Sequence, residues 1–100
     1  NIFNLGSEHE RDIVTCFEVI EHLPPERLGE AVAKLRSLAR KKLYVSVPFM
    51  EGPPLFKGHF TRFTADNIVR LFPDATYTIF GKQDLGDDQV HAWILCEINF

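Results

Sequence analysis

The stretch DIVTCFEVIEH, Asp12 to His22, decides how this sequence is read. Ile13 and Val14 begin an apolar, β-branched run, and residues 13–17 read as a short strand covered on both faces. Within a few residues the chain delivers Glu18, Glu21 and His22. Two carboxylates and an imidazole are costly inside a core, which places them at the rim where the strand ends.

Working outward, LPPERLGEAVAKLRSLAR reads as a helix. Its two prolines are tolerable only at the start. Leu28, Val32, Leu35 and Ala39, with Ala31 and Leu38 beside them, recur at spacings of three and four and form one apolar face. Arg36, Arg40, Lys41 and Lys42 are expected at its C-terminal end, where cations complement the helix dipole. KLYVSVPF reads as a second buried strand, and MEGPPLFKGHFTR as a loop rich in Gly and Pro. Thr64 is a candidate N-cap for a short helix, Ala65 to Phe72, which Pro73 ends. ATYTIFG and QVHAWILCEINF read as two strands joined by the polar hairpin loop KQDLGDDQ.

Strand, helix, strand, helix, strand, strand is thus the predicted order. Such alternation implies right-handed crossovers and a parallel sheet, with the closing hairpin adding one antiparallel strand. Ligands of such sheets bind beyond the carboxyl ends of the strands. Glu18, Glu21, His22 and the 48–63 loop are expected along that edge.

A chain of 100 residues makes one domain, 1–100, near the lower end of what buries a self-sufficient core. A net charge of −3 argues against a nucleic-acid surface. No apolar run approaches the ~18 residues of a membrane span, and NIFNLGSEHE has neither the basic start nor the apolar core of a signal peptide. Asn1 in place of an initiating Met suggests that an upstream segment has been removed. Cys16 and Cys96 lie in strand-like runs, which suits a reduced, cytoplasmic protein better than a disulfide scaffold.

If the chain turns helical after the first strand, Glu18, Glu21 and His22 stand at i, i+3 and i+4 on one face. Carboxylate oxygens and an imidazole nitrogen converging there suit a divalent cation such as Mg²⁺, Mn²⁺ or Zn²⁺, with His59 as a fourth ligand. Two plainer readings stand beside this one. Glu21 carries charge near the next helix and His22 hydrogen-bonds backbone; or His22 or Glu21 is a general base. Arg62, between Phe60 and Phe63, either grips a substrate or anchors its loop. Asp84, Asp87 and Asp88 lack the ordered spacing of a calcium loop and read as a solvated hairpin.

With these residues assembled, RDIVTCFEVIEHLPPERL, KKLYVSVPF and GHFTRFTADNIVRLFP, in that order, resemble the C-terminal half of a class I S-adenosylmethionine-dependent methyltransferase. TCFEVIEHL is similar to ubiquinone-pathway O-methyltransferases. Glu-x-x-Glu-His resembles small-RNA 2′-O-methyltransferases, in which two Glu and two His hold a metal. The resemblance implies a partial Rossmann-like α/β sheet in the order 4-5-7-6, its last strand antiparallel, with two helices on one face. It implies cofactor contacts from Cys16, Phe17 and Glu18, and metal ligands Glu18, Glu21, His22 and His59. Catalytic roles fall to His22 and Glu21, and substrate contacts to Phe49, Arg62 and Phe63. The implied cofactors are S-adenosylmethionine and a divalent metal such as Mg²⁺ or Mn²⁺.

The family's Gly-rich cofactor turn and ribose carboxylate, both in its N-terminal half, have no counterpart in this sequence. Two classes of function are therefore expected. One is part of a methyltransferase acting on a small-molecule oxygen, or on RNA in the metal-dependent variant. The other is an inactive dimerisation or binding module. The strand at 13–17 becomes a sheet edge and one sheet face lacks helices, so a homodimer, or pairing with the missing N-terminal half, is expected.

Overall fold

A computed structural model describes residues 2–52, 55–84 and 90–100. Its elements are β1 (Arg11–Phe17), α1 (Leu28–Leu38), β2 (Ala39–Phe49), α2 (Ala65–Leu71), β3 (Thr76–Asp84) and β4 (Val90–Asn99). Short 3₁₀ turns occupy Ile20–His22 and Pro25–Arg27 between β1 and α1. The sheet order is β1-β2-β4-β3. β1 and β2 are parallel, and β4 runs antiparallel to both of its neighbours. This is the expected half-sheet, 4-5-7-6 in the family's numbering, with the hairpin strand reversed.

Strand alternation separates two faces. Val14, Cys16, Leu43, Val45, Val47, Ile94, Cys96 and Ile98 point to one side and pack against Leu28, Val32 and Leu35 of α1 and Ile68 of α2. Both helices thus cover the same face. Thr64 caps α2 with a full capping box, its hydroxyl accepting from Asn67 N–H while the Asn67 side chain accepts from Thr64 N–H. The Tyr77 hydroxyl donates to the Phe72 carbonyl and closes the far end of that helix onto β3.

The opposite face carries Ile13, Phe17, Phe80, Trp93 and Leu95, and no helix among the described residues lies over it. Apolar residues in both phases of the strands are the pattern of a sheet made to be covered twice.

One boundary differs from expectation. Ala39 and Arg40, read as the end of the helix, belong to β2; Ala39 is already extended at φ −92°, ψ 122°, and the strand begins there rather than at Lys42. The basic cluster instead lies opposite β1, where Arg40 and Lys41 reach Asp12 at 3.4 and 3.8 Å. Pairing with β1 satisfies backbone groups that a further helical turn would have left to solvent. β3 likewise runs to Asp84, taking the first residues of the expected hairpin loop. The rest of that loop, 85–89 with Asp87 and Asp88, lies outside the described residues, as do Pro53 and Pro54.

Candidate metal centre and adjoining pocket

β1 and β2 are adjacent and parallel, so their carboxyl ends open side by side. The segment after β1 brings Glu21 and His22; the loop after β2 brings Glu51 and His59. Backbone bonds lock the two segments together. Phe60 N–H donates to the Glu21 carbonyl at 2.8 Å, Met50 N–H donates to the Phe63 carbonyl at 2.9 Å, and Glu18 N–H donates to the Ser46 carbonyl at 2.9 Å.

One ligand atom from each of Glu21, His22 and His59 lies within 4.8 Å of the others. The hydrogen-bond partners determine which atoms these are. His22 Nδ1 lies 2.9 Å from the Gly58 carbonyl, which can only accept, so Nδ1 carries the proton. His59 Nδ1 lies 2.9 and 3.0 Å from the two oxygens of Glu51, and donates to that carboxylate. With Nδ1 engaged in this way, Nε2 of each ring is the atom left for a ligand. His22 Nε2 is 3.4 Å from Glu21 Oε1, and the two rings meet edge to face with centroids 4.8 Å apart.

Glu21 is 1% exposed, and its Oε2 has no hydrogen-bond partner. Burial pushes its carboxyl above the ordinary range; a backbone hydrogen bond counteracts this, the Glu18 charge adds to it, and His22 and His59 oppose it. One carboxylate oxygen and two imidazole nitrogens converge here. Such a donor set fits a divalent cation, and two nitrogens with one oxygen favour Mn²⁺, Co²⁺ or Zn²⁺ over Mg²⁺.

Glu18 is not a member of this group. Its φ of +57° is left-handed, so the helical turn that would align it with Glu21 and His22 never forms. It lines a cavity of about 560 Å³ with Phe17, Ser46, Phe80, Gly81, Trp93 and Leu95 on the uncovered face. Phe17 and Glu18, expected at the cofactor, therefore share that pocket. Cys16 turns the other way. It is buried under the helices, and desolvation and the Glu21 charge push its thiol up to about 11.

The expected substrate residues separate. Phe63 is fully buried in the core, where its side chain packs and is closed to a ligand. Arg62 Nε donates to the Glu51 carbonyl at 2.8 Å, and the Arg62 carbonyl accepts from Asn67, so it ties the loop to the cap of α2. Phe49 is half-buried, bridges Phe63, and lines a second cavity of about 310 Å³ with Met50, Ile79, Lys82 and Ala92.

Glu51 is the residue that sequence reading passed over. It is 2% exposed and accepts from both His59 and the Phe56 N–H. A lone carboxylate followed by two prolines, in a loop that also supplies a histidine, was the available signal.

This fold is the one seen in S-adenosylmethionine-dependent methyltransferases, over about half of their domain. Magnesium protoporphyrin IX methyltransferase from Synechocystis PCC 6803, with bound SAM, aligns at a TM-score of 0.60 and 22% identity, over 100% of this chain and 43% of that one. The 1,6-didemethyltoxoflavin-N1-methyltransferase of Burkholderia thailandensis, with bound 1,6-didemethyltoxoflavin and S-adenosylhomocysteine, aligns at 0.61 and 16% identity, over 99% of this chain and 48% of that one. The chain thus spans less than half the length of these relatives. No protein-family profile and no curated protein sequence matches it. No helix among the described residues is long and apolar enough to cross a membrane.

Proposed function

We propose that this chain is the acceptor-side half of a class I methyltransferase domain, moving the methyl group of S-adenosylmethionine to an oxygen of a small-molecule acceptor. The observation that carries this reading is the convergence of Glu21, His22 and His59 beyond two adjacent parallel strands of a methyltransferase-like sheet. A structural scaffold has no use for a buried carboxylate with an orphaned oxygen, whose presence costs stability.

In this proposal His22 and His59 offer Nε2, and Glu21 a carboxylate oxygen, to a divalent cation. When bound, that cation supplies Lewis-acid polarisation of the acceptor hydroxyl. Glu21 is placed to take the hydroxyl proton on Oε2, the carboxylate oxygen that has no hydrogen-bond partner among the described residues. The freed oxygen pair forms the new C–O bond as the sulfur–methyl bond breaks in line, and the sulfur keeps the electrons. Phe17 and Glu18 hold the methionine end of the cofactor in the 560 Å³ cavity. The other half of the pocket comes from an N-terminal half-domain on the same or another chain.

A second reading rests on a different observation. Ile13, Phe17 and Phe80 are exposed on one face, and β1 is an unpaired sheet edge. These suit a dimerisation or binding module that covers the face with a second copy.

Calorimetric titration with S-adenosylhomocysteine, with and without Mn²⁺, separates the two. The enzyme reading expects saturable cofactor binding that Mn²⁺ strengthens, in this chain or after addition of an N-terminal half. The module reading expects neither ligand to bind, together with a dimer in sedimentation.

A further inference from the structure

We propose that Glu51 is the positioning residue of the centre, holding His59 in the tautomer that leaves Nε2 free as a ligand; the consequence for the cation rests on the reading above. Glu51 is 2% exposed, and all of its carboxylate bonding is directed inward. Oε2 accepts from Phe56 N–H at 2.9 Å, and both oxygens lie within 3.0 Å of His59 Nδ1. Its backbone carbonyl accepts from Arg62 Nε at 2.8 Å, which fixes the Glu51 main chain as well. An ionised carboxylate has no hydrogen to give, so His59 must donate from Nδ1. The opposite ring nitrogen then faces Glu21 and His22 with its lone pair.

His22 has only a backbone carbonyl behind it, at Gly58. His59 has the Glu51 carboxylate behind it. A carboxylate behind an imidazole raises the basicity of the far nitrogen, so His59 is the stronger nitrogen donor of the two. Removing that partner typically costs a metal site about 10–100-fold in affinity.

Glu51→Gln tests this sharply because the amide is not symmetric. With its oxygen held in the place of Oε2 by the Phe56 N–H, its NH₂ takes the place of Oε1, 2.9 Å from His59 Nδ1, where two donors would meet unless Nδ1 gives up its proton. The proton moves to Nε2, and the ligand is lost. Nitrogen-15 NMR of the histidine rings reads the tautomer directly, in the full chain without metal and above the histidine titration range. The wild type is expected to carry the His59 proton on Nδ1 and the Gln variant to carry it on Nε2. The same variant is expected to bind Mn²⁺ about 10–100-fold more weakly.

A wild-type His59 protonated on Nε2 overturns the proposal, and that measurement stands even where the variant fails to fold. A folded Glu51→Gln variant that keeps both the tautomer and the Mn²⁺ affinity overturns it too. A tautomer switch in a chain whose wild type binds no Mn²⁺ supports the positioning role and sinks the metal reading alone.

Discussion

On one face of the sheet Leu43, Val45, Val47, Ile94, Cys96 and Ile98 are sealed beneath α1 and α2, while on the other Ile13, Phe17 and Phe80 are about half exposed, at 56%, 53% and 46%. The residue types barely differ between the two. The covered face is finished within this chain, whereas the uncovered one has the composition of a core without its second layer. Glu21, His22 and His59 sit at the rim beyond the same strands, with a pocket on the unfinished side. The difference teaches where the chemistry is expected: in the crevice beyond the strand ends, between the covered face and the open one.

Substitutions on the two faces should part widely. Phe63→Ala, fully buried in the core that the helices close, is expected to cost about 3–5 kcal/mol by urea denaturation. Phe17→Ser on the open face is expected to stay within about 0.5 kcal/mol at low concentration. A large loss from Phe17→Ser that grows with protein concentration would show a second copy already seated there.

The thiols probe the same covered face chemically. Burial raises both Cys16 and Cys96 from 9.0 to about 11, so the folded state holds their protons more tightly than the unfolded state does. The stability from this preference is fully present below about pH 9 and is lost as pH rises from there through about 11, on the order of 2 kcal/mol per thiol. Alkaline denaturation followed by circular dichroism checks it. A Cys16→Ala, Cys96→Ala variant should lose most of that slope.

Glu21 is expected to behave in the same sense at lower pH. Its carboxyl is raised, so stability falls as pH climbs through the ordinary carboxylate range toward the raised value. Glu21→Gln should therefore melt higher than wild type at pH 7 without metal, by about 1 kcal/mol, because its amide N–H can serve the His22 lone pair. The advantage should vanish in acid and reverse when Mn²⁺ is added. Thr64→Ala is expected to cost about 1 kcal/mol or less by the same urea assay, through loss of the cap that holds α2 over the sheet.

Much of this was legible in the chain. Apolar runs without alternation gave the buried strands, the three-and-four spacing from Leu28 gave α1, and Thr64 gave the start of α2. The strand order followed from the resemblance. Glu21, His22 and His59 could be grouped because the ends of two parallel neighbours must meet. What was hidden depended on single backbone angles and long-range partners. Glu18 departs from the helical register because one φ is positive, which no spacing rule registers. Phe63 looked like a substrate residue because it neighbours Arg62, yet its bridge to Phe49 draws it into the core. Arg40–Lys42 fit a helix end until pairing with β1 claimed them. Glu51 acquires its meaning only from a histidine eight residues away across a folded loop.

The most direct test of the central claim is a calorimetric titration of the full chain with Mn²⁺ alone, beside a His22→Ala variant. The account predicts one cation per chain in the wild type, with binding weakened at least tenfold in the variant. A folded wild-type chain that takes up neither Mn²⁺ nor Zn²⁺ at millimolar concentration would contradict it, and would leave Glu21 and its two histidines bridged by a proton instead.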